Sequence, residues 1–528
     1  MNMLTTRRAV LRIGAGALAA PFVLRPLPAR ASGPALPIPA LVEPDAAGTV
    51  RLRMAGGRHS FVPGQSVPSA GINGAYLGPV VRLKAGGTAT LAVENALPWH
   101  TTLHWHGLFV GSDLDGGPHN PIAPGQTWTP RVTIDQPPAM TWFHPHLHED
   151  TARQAHLGLA GILIVADGRD RERGLPDSHG VDDLPLILQD RRALEGEAPY
   201  APDALDFIHG FRGTHIAVNG AVRPTAAVPA AIVRLRFLNG ANARNFLLRF
   251  ADRRPLHVIA SDGGFLARPA AVDTLVIAPG ERFEALVDFS DGRPVELMTL
   301  PDDNGRFGSG VVDRLKAAVT EALAGEEPVM TFAPDPALKG GVASLPAGLD
   351  EPAGADPATA SRRRRFVFDE RVEANLKALQ EAGVSAEQAG QMVDHSAHGA
   401  HAGRPMAAPA PAATAASLGI TMAMAGEPFD MGRVDVEAKL GSTEIWELST
   451  QEMAHPFHIH GASLRVISRN GQPPEPHLAG WKDVVLVDGK AEVLVRFDRP
   501  AAREKPFMFH CHILEHEDAG MMGQFVTV

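Results

Sequence analysis

Cysteine is almost missing from this chain: Cys511 is the single one in 528 residues. That excludes any internal disulfide and any zinc site built on Cys-x2–4-Cys spacing. Long apolar runs are missing as well. The one candidate, Ile13 to Leu24, is too short and too rich in Gly and Ala to span a bilayer. Positive charge is in deficit, 49 Lys and Arg against 59 Asp and Glu, which argues against a nucleic-acid or anionic-membrane partner. Aromatics are sparse, and helical periodicity is absent except in one short stretch.

Gly (53) and Pro (45), by contrast, are plentiful, as many short strands joined by turns require. Strand-like runs recur at Val80–Lys84, Thr88–Val93, Leu184–Leu188, Ile232–Phe237, Phe283–Phe289, Glu444–Leu448 and Ala491–Phe497. This size and spacing predict an all-β chain of sandwiches. The length calls for two or three domains. Composition divides it into 33–168, 178–332, an Ala/Pro/Gly-rich linker over 333–360 and a third block over 361–528, whose arginines 362–365 read as a solvated start. Within the third block, about 369–434 reads as an insert. Val372, Leu376 and Leu379 have helical spacing there, and Ser385 with Gln388 has the form of a capping box. A stretch carrying Met392, His395, His398, His401, Met406, Met422, Met424 and Met431 follows, with Ala/Pro repeats over 407–417 that predict local disorder.

The N-terminus reads as an export signal. Arg7 and Arg8 form a twin-arginine pattern, followed by the short apolar stretch and by Ala29-Arg30-Ala31 as a cleavage signal. Removing 1–31 takes away five arginines and no acid, leaving a more acidic chain. A twin-arginine route carries folded proteins, which suits a metal site assembled before export.

Histidine is where the chemistry concentrates. Four segments share one spacing: His104-Trp105-His106, His144-Pro145-His146, His458-Ile459-His460 and His510-Cys511-His512. On a strand each pair lies on one face, so four strands could surround a cavity with eight imidazoles. Neutral imidazole is a good ligand for copper, and eight suit a cluster of about three ions. Cys511 must then face away from His510 and His512. With His455, His516 and Met521 it supplies the thiolate, imidazoles and thioether of a blue-copper centre. Two sites joined through one cysteine are therefore expected. A nucleophilic Cys511 would leave three histidine pairs unexplained.

These residues resemble the three-domain bacterial multicopper oxidases, above all the periplasmic copper-efflux (cuprous) oxidase and bacterial laccase group. The resemblance covers nearly all of the chain after the signal. It rests on His104-Trp105-His106-Gly107, Trp142-Phe143-His144-Pro145-His146, Gly158-Leu159-Ala160-Gly161, His455-Pro456-Phe457-His458-Ile459-His460-Gly461 and the run His510 to Met522. It implies three cupredoxin-like Greek-key sandwiches, a cluster between the first and third, and four coppers. His104 and His458 match the type 2 ligands. His106, His144 and His512 match one type 3 copper, and His146, His460 and His510 the other. His455, Cys511 and His516, with Met521 axial, match type 1. It further implies a monomeric periplasmic oxidase, exported by the twin-arginine machinery, that takes single electrons from Cu(I) or a phenolic donor. Cys511 relays them, O2 is reduced to water, and a role in copper tolerance follows. Asp115 and Glu517 match acids tied to proton delivery; their bland alternatives are a turn aspartate and a surface glutamate.

Departures bear on the donor. Asp394-His395-Ser396, Phe429-Asp430-Met431 and Met453 resemble the Met-rich cover of cuprous oxidases, but 369–380 has no Met and Gln451 replaces an acid. Other readings are a laccase-type phenol oxidase, a copper carrier without turnover, a two-domain nitrite reductase, and a structural protein like the cell-division relatives that lack copper ligands. The nitrite reductase accounts neither for His510 beside Cys511 nor for the length. The twelve intact ligand positions argue against the structural protein.

Overall fold

The computed structural model describes residues 33–302, 325–381, 413–451 and 453–528. The twin-arginine segment lies outside them, as does the part of the insert holding Ser385, Gln388, Met392, Asp394 to Ser396, His398, His401 and Met406.

Three sandwiches, each a pair of sheets closed on an apolar core, follow one another along the chain. In the first, Leu41–Val42, Val80–Lys84, Gly161–Ala166 and Ala139–Phe143 form one sheet. Val67–Ile72, Thr49–His59, Thr88–Asn95 and Thr127–Trp128 form the other. Gly86 and Gly87 thus carry the chain from one sheet to its partner, not round a hairpin. The second pairs a seven-stranded with a five-stranded sheet, and the third a four-stranded with a five-stranded sheet. Alternation builds the cores: Leu52, Leu91 and Phe143 fill the first, Phe237, Phe246 and Phe283 the second, Trp446, Phe457 and Phe509 the third. The architecture is the all-β, cupredoxin-like one expected, and all seven strand-like runs are strands.

In Ile232–Asn239 the alternate residues Arg234 and Arg236 face away from the core yet are buried. Arg236 pairs there with Asp183 at 2.6 Å and Glu284 at 2.7 Å. Charge alternation alone would have read this face as solvated.

After the strand Glu327–Asp335, the stretch to 360 holds only a 3-10 turn at Pro357–Thr359 but lies along the second sandwich, where Leu345 and Leu349 pack on the cluster of Ile259 and Phe265. Arg363–Phe368 is an edge strand, with Arg363 and Arg365 exposed and paired to Glu447. A helix runs over Val372–Glu381, as its spacing predicts. The end of the Ala/Pro tract departs from the disorder expected: Ala416–Leu418 is a turn of 3-10 helix, and Met422 and Met424 are buried in the third core. Backbone pairing of Asp369 with Ala423 and of Met422 with Ala519 fixes them there.

Candidate metal centres

Strand ends bring the histidine pairs together. His104 bridges His144, and His458 lies opposite His510 in the sheet. No pair lies wholly inside a regular strand. His106, His146, His460 and His512 each stand just past the last paired residue, where the backbone turns. The alternation across Cys511 holds nonetheless. His510 Nε2 lies 3.2 Å from both His146 Nε2 and His460 Nε2, while Cys511 Sγ lies on the other side, 3.4 Å from His455 Nδ1 and 3.7 Å from His516 Nδ1.

All eight paired histidines are buried in one cavity. His106 stacks on His458 at 3.6 Å between ring centroids, and His104 on His460 at 3.8 Å. Burial first, and the neighbouring imidazoles second, push His106, His146, His458 and His460 well below the ordinary histidine range. His144 and His512 are lowered by the same causes. Burial holds His510 at about 3. Seven of these rings are therefore neutral near pH 7, which is the ligating form.

Second partners decide which nitrogen is offered. Nδ1 of His104 donates to Asp115 O, Nδ1 of His144 to Pro145 O, Nδ1 of His458 to Asp483 O, Nδ1 of His460 to Asp115 Oδ2 and Nδ1 of His510 to Cys511 O. Each leaves Nε2 facing the cavity. His106 is turned round: Nε2 donates to Asp483 Oδ1 at 3.0 Å, and Nδ1 faces His144 Nε2 at 3.4 Å. Among the described residues, Nε2 of His104, of His458 and of His512 find no hydrogen-bond partner. Buried, unpartnered imidazole nitrogens converging on one cavity are what a set of metal ions satisfies.

At the second centre His455, Cys511 and His516 converge through Nδ1, Sγ and Nδ1, with the two nitrogens 3.2 Å apart. Their Nε2 atoms are anchored behind, His455 to Glu370 Oε1 at 2.8 Å and His516 to Ile208 O at 3.0 Å. Met521 is buried beside them and its carbonyl accepts the Cys511 N–H at 3.1 Å. Burial pushes the Cys511 thiol well up, so the sulfur is a neutral thiol until a cation draws off its proton.

Asp115 closes a short 3-10 turn, and its Oδ2 lies 2.8 Å from His460 Nδ1. Glu517 is buried, 3.2 Å from His146 Nδ1 and 3.3 Å from His510 Nδ1, and burial raises it to about 8. Glu517 is buried and is no surface glutamate; Asp115 does close a turn, but its carboxylate is buried against an imidazole. Glu517 rides on the helix Leu514–Asp518, which ties all three sandwiches together. Glu515 accepts from Tyr200 OH, Asn242 Nδ2 and the Phe211 N–H of the second. Asp518 accepts the Thr151 and Ala152 N–H groups, capping a helix of the first across the interface.

Glu370, Asp483 and Arg282 escape the sequence reading. Asp483 has a local signal, since Trp481-Lys482-Asp483 sets two charges directly before the buried strand Val484–Val487. Glu370 lies two residues past the edge strand Arg363–Phe368 and shows none.

Multicopper oxidase profiles match residues 55–170, 186–296 and 388–528. The chain belongs to the multicopper oxidase family. Membership implies copper binding, and the donor set fits it: thiolate, thioether and neutral imidazole. Among solved structures, a laccase-like multi-copper oxidase CueO from Ochrobactrum sp. is 55% identical, with a TM-score of 0.82 over 93% of this chain and 100% of that one. A laccase from Pediococcus acidilactici is 31% identical, with a TM-score of 0.73 and 95% of each chain covered. Among curated proteins, cell division protein FtsP of Edwardsiella tarda is 35% identical over 506 residues, 95% of each chain.

Proposed function

We propose that this multicopper oxidase takes single electrons from a phenolic donor or Cu(I) and passes them to O2, with four coppers and water as product. One observation carries the reading: Cys511 Sγ sits with His455 and His516, while its two peptide neighbours, His510 and His512, point into the eight-imidazole cavity. His455, Cys511 and His516, with Met521 beside them, would hold the type 1 ion. His104 and His458 would hold type 2, and His106, His144, His512 and His146, His460, His510 the type 3 pair. Bound copper would supply one-electron transfer at the first centre and four-electron reduction of O2 at the cluster. The chain supplies the rest. It excludes water by burial, orients six of the eight cluster rings through their second nitrogens, and sets the carboxyl groups of Glu517 and Asp115 beside the cluster ligands for proton delivery. Periplasmic location by the twin-arginine route belongs to the same reading.

Phenols are favoured over Cu(I). Among the described residues Met422, Met424 and Met453 are core residues, and the carboxylate on His455 comes from Glu370, not from position 451. The Ochrobactrum relative is described as acting on lignin model compounds and lignosulfonate. Oxygen uptake by copper-loaded protein with a phenol and with Cu(I), side by side, tests this. Deleting 390–412, short of the core residues Ala415, Ile420, Met422 and Met424, should leave the phenol rate intact or raised. A Cu(I) rate that dominates and collapses on the deletion would make the chain a metal oxidase.

Asp115→Asn should slow O2 reduction severalfold while anaerobic reduction of the blue band by donor stays fast. Equal turnover would remove Asp115 from proton delivery. A cell-division role is the second reading, carried by the FtsP relatives. It predicts division defects rescued equally by the parent and by a chain without copper ligands.

A further inference from the structure

The second sandwich contributes none of the twelve ligand positions, yet it reaches the imidazole cavity at two points. Gly280 lies against His512: a Cβ there would stand 2.8 Å from His512 Nε2. Two residues on, Arg282 enters behind His106. Its guanidinium is buried and uses all five N–H groups. Nη1 and Nη2 each donate to Asp483, at 2.6 Å apiece, a bidentate pairing. The other three go to the carbonyls of Met140, Gly280 and Asp262. Asp483 comes from the third sandwich and His106 from the first, so the chain of contacts Arg282, Asp483, His106 crosses all three. Gly107, at φ +84°, makes room: a Cβ would stand 2.6 Å from both Arg282 Nη2 and Asp483 Oδ2.

Asp483 anchors two rings in opposite senses. Its backbone carbonyl accepts from His458 Nδ1 at 2.9 Å, and its side chain accepts from His106 Nε2 at 3.0 Å. The first leaves Nε2 for the cavity and the second leaves Nδ1. His460 is held by Asp115 through Nδ1, whereas His106 is held by Asp483 through Nε2, and among the described charged groups Arg282 alone hydrogen-bonds that carboxylate besides His106. Behind it, Asp262 accepts the Arg282 N–H at 2.7 Å and pairs with Lys482 at 2.9 Å, and Lys482 also reaches Glu281 at 3.2 Å.

We propose that Arg282 is a positioning residue of the trinuclear centre, clamping Asp483 so that His106 keeps its proton on Nε2 and offers Nδ1 to copper. The inference rests on the function proposed above. Lysine at 282 keeps the charge but lacks the planar fork, so Asp483 can swing and His106 can exchange its tautomer.

The test compares Arg282→Lys and Asp483→Asn with Glu281→Gln, a change in the same buried ionic group that touches no imidazole. Copper affinity is read by chelator competition with elemental analysis. The His106 tautomer is read by 15N imidazole NMR of the metal-free protein. Arg282→Lys and Asp483→Asn should each bind cluster copper about 10- to 100-fold more weakly. Both should lose the Nε2–H signal of His106 while keeping the blue absorbance of the Cys511 site, and Glu281→Gln should match the parent. Should one variant fail to fold, the other carries the comparison. Parent-like copper affinity and tautomer in the folded variants would overturn the proposal, as would an equal loss in Glu281→Gln. A parent chain that takes up no copper would overturn the proposed function instead.

Discussion

Replacing Cys511 by Ser should abolish the blue absorbance, lower the copper-to-protein ratio by one, and cut oxygen uptake by more than about 100-fold, beyond the usual effect of losing a mere supporting group. The sulfur is the softest donor at its centre, and its residue is the one there peptide-linked to two histidines of the imidazole cavity, His510 and His512. Serine is nearly isosteric, but its hydroxyl does not ionise near pH 7 and is a hard donor. It would also sit in the apolar core formed by Phe457, Phe509 and Met521, at a cost of about 1–3 kcal/mol unless it finds a partner. Ile513 N–H, 3.4 Å from Sγ, is such a partner, so the variant should fold. The eight imidazoles are untouched and should keep their copper. Elemental analysis with visible spectroscopy reads the outcome; a variant that stays blue, or that consumes oxygen at the parent rate, would remove Cys511 from the electron path.

Lys482→Met should cost the protein about 3–5 kcal/mol, the usual penalty for leaving buried charges unpaired. Lys482 Nζ lies between Asp262 and Glu281, 4.4 Å from the Phe283 ring centroid, at the seam of the second and third sandwiches. Burial alone would push this ammonium down; the two carboxylates outweigh burial and hold it above the ordinary lysine range. A folded value raised above the unfolded one means the stabilisation is complete at neutral pH and is lost only in strong alkali. Calorimetry of the metal-free chain should show the transition lowered. Adding Glu281→Gln to Lys482→Met should restore part of the loss. An unchanged transition would mean that water or rearrangement already screens the trio.

The contrast between these two sites explains what was legible in the sequence. Histidine pairs two residues apart, and a cysteine between two of them, encode face alternation within one strand, and alternation survives folding. The strands themselves were readable for the same reason. Asp483 reaches His106 from 377 residues away, and Arg282 reaches Asp483 from 201. Nothing periodic records which strand end meets which. The buried face of Ile232–Asn239 is illegible for a second reason, because a charged alternation is the same string whether it meets water or buried counter-charges. Glu370 was hidden for a third reason. It reaches His455 from 85 residues away, two positions past a neighbouring edge strand, and nothing around His455 in the sequence records it.

The helix Leu514–Asp518 gives the molecule a built-in proof of assembly. It carries His516, proposed for the blue centre, and Glu517, proposed for proton delivery, and its other carboxylates hold backbone groups of both remaining sandwiches. A chain with one sandwich undocked therefore has no partial oxidase to offer: the same misplacement frees Glu515 or Asp518 and unsettles His516. Colour, in this protein, should appear last, and its appearance should certify that the three sandwiches have closed on one another.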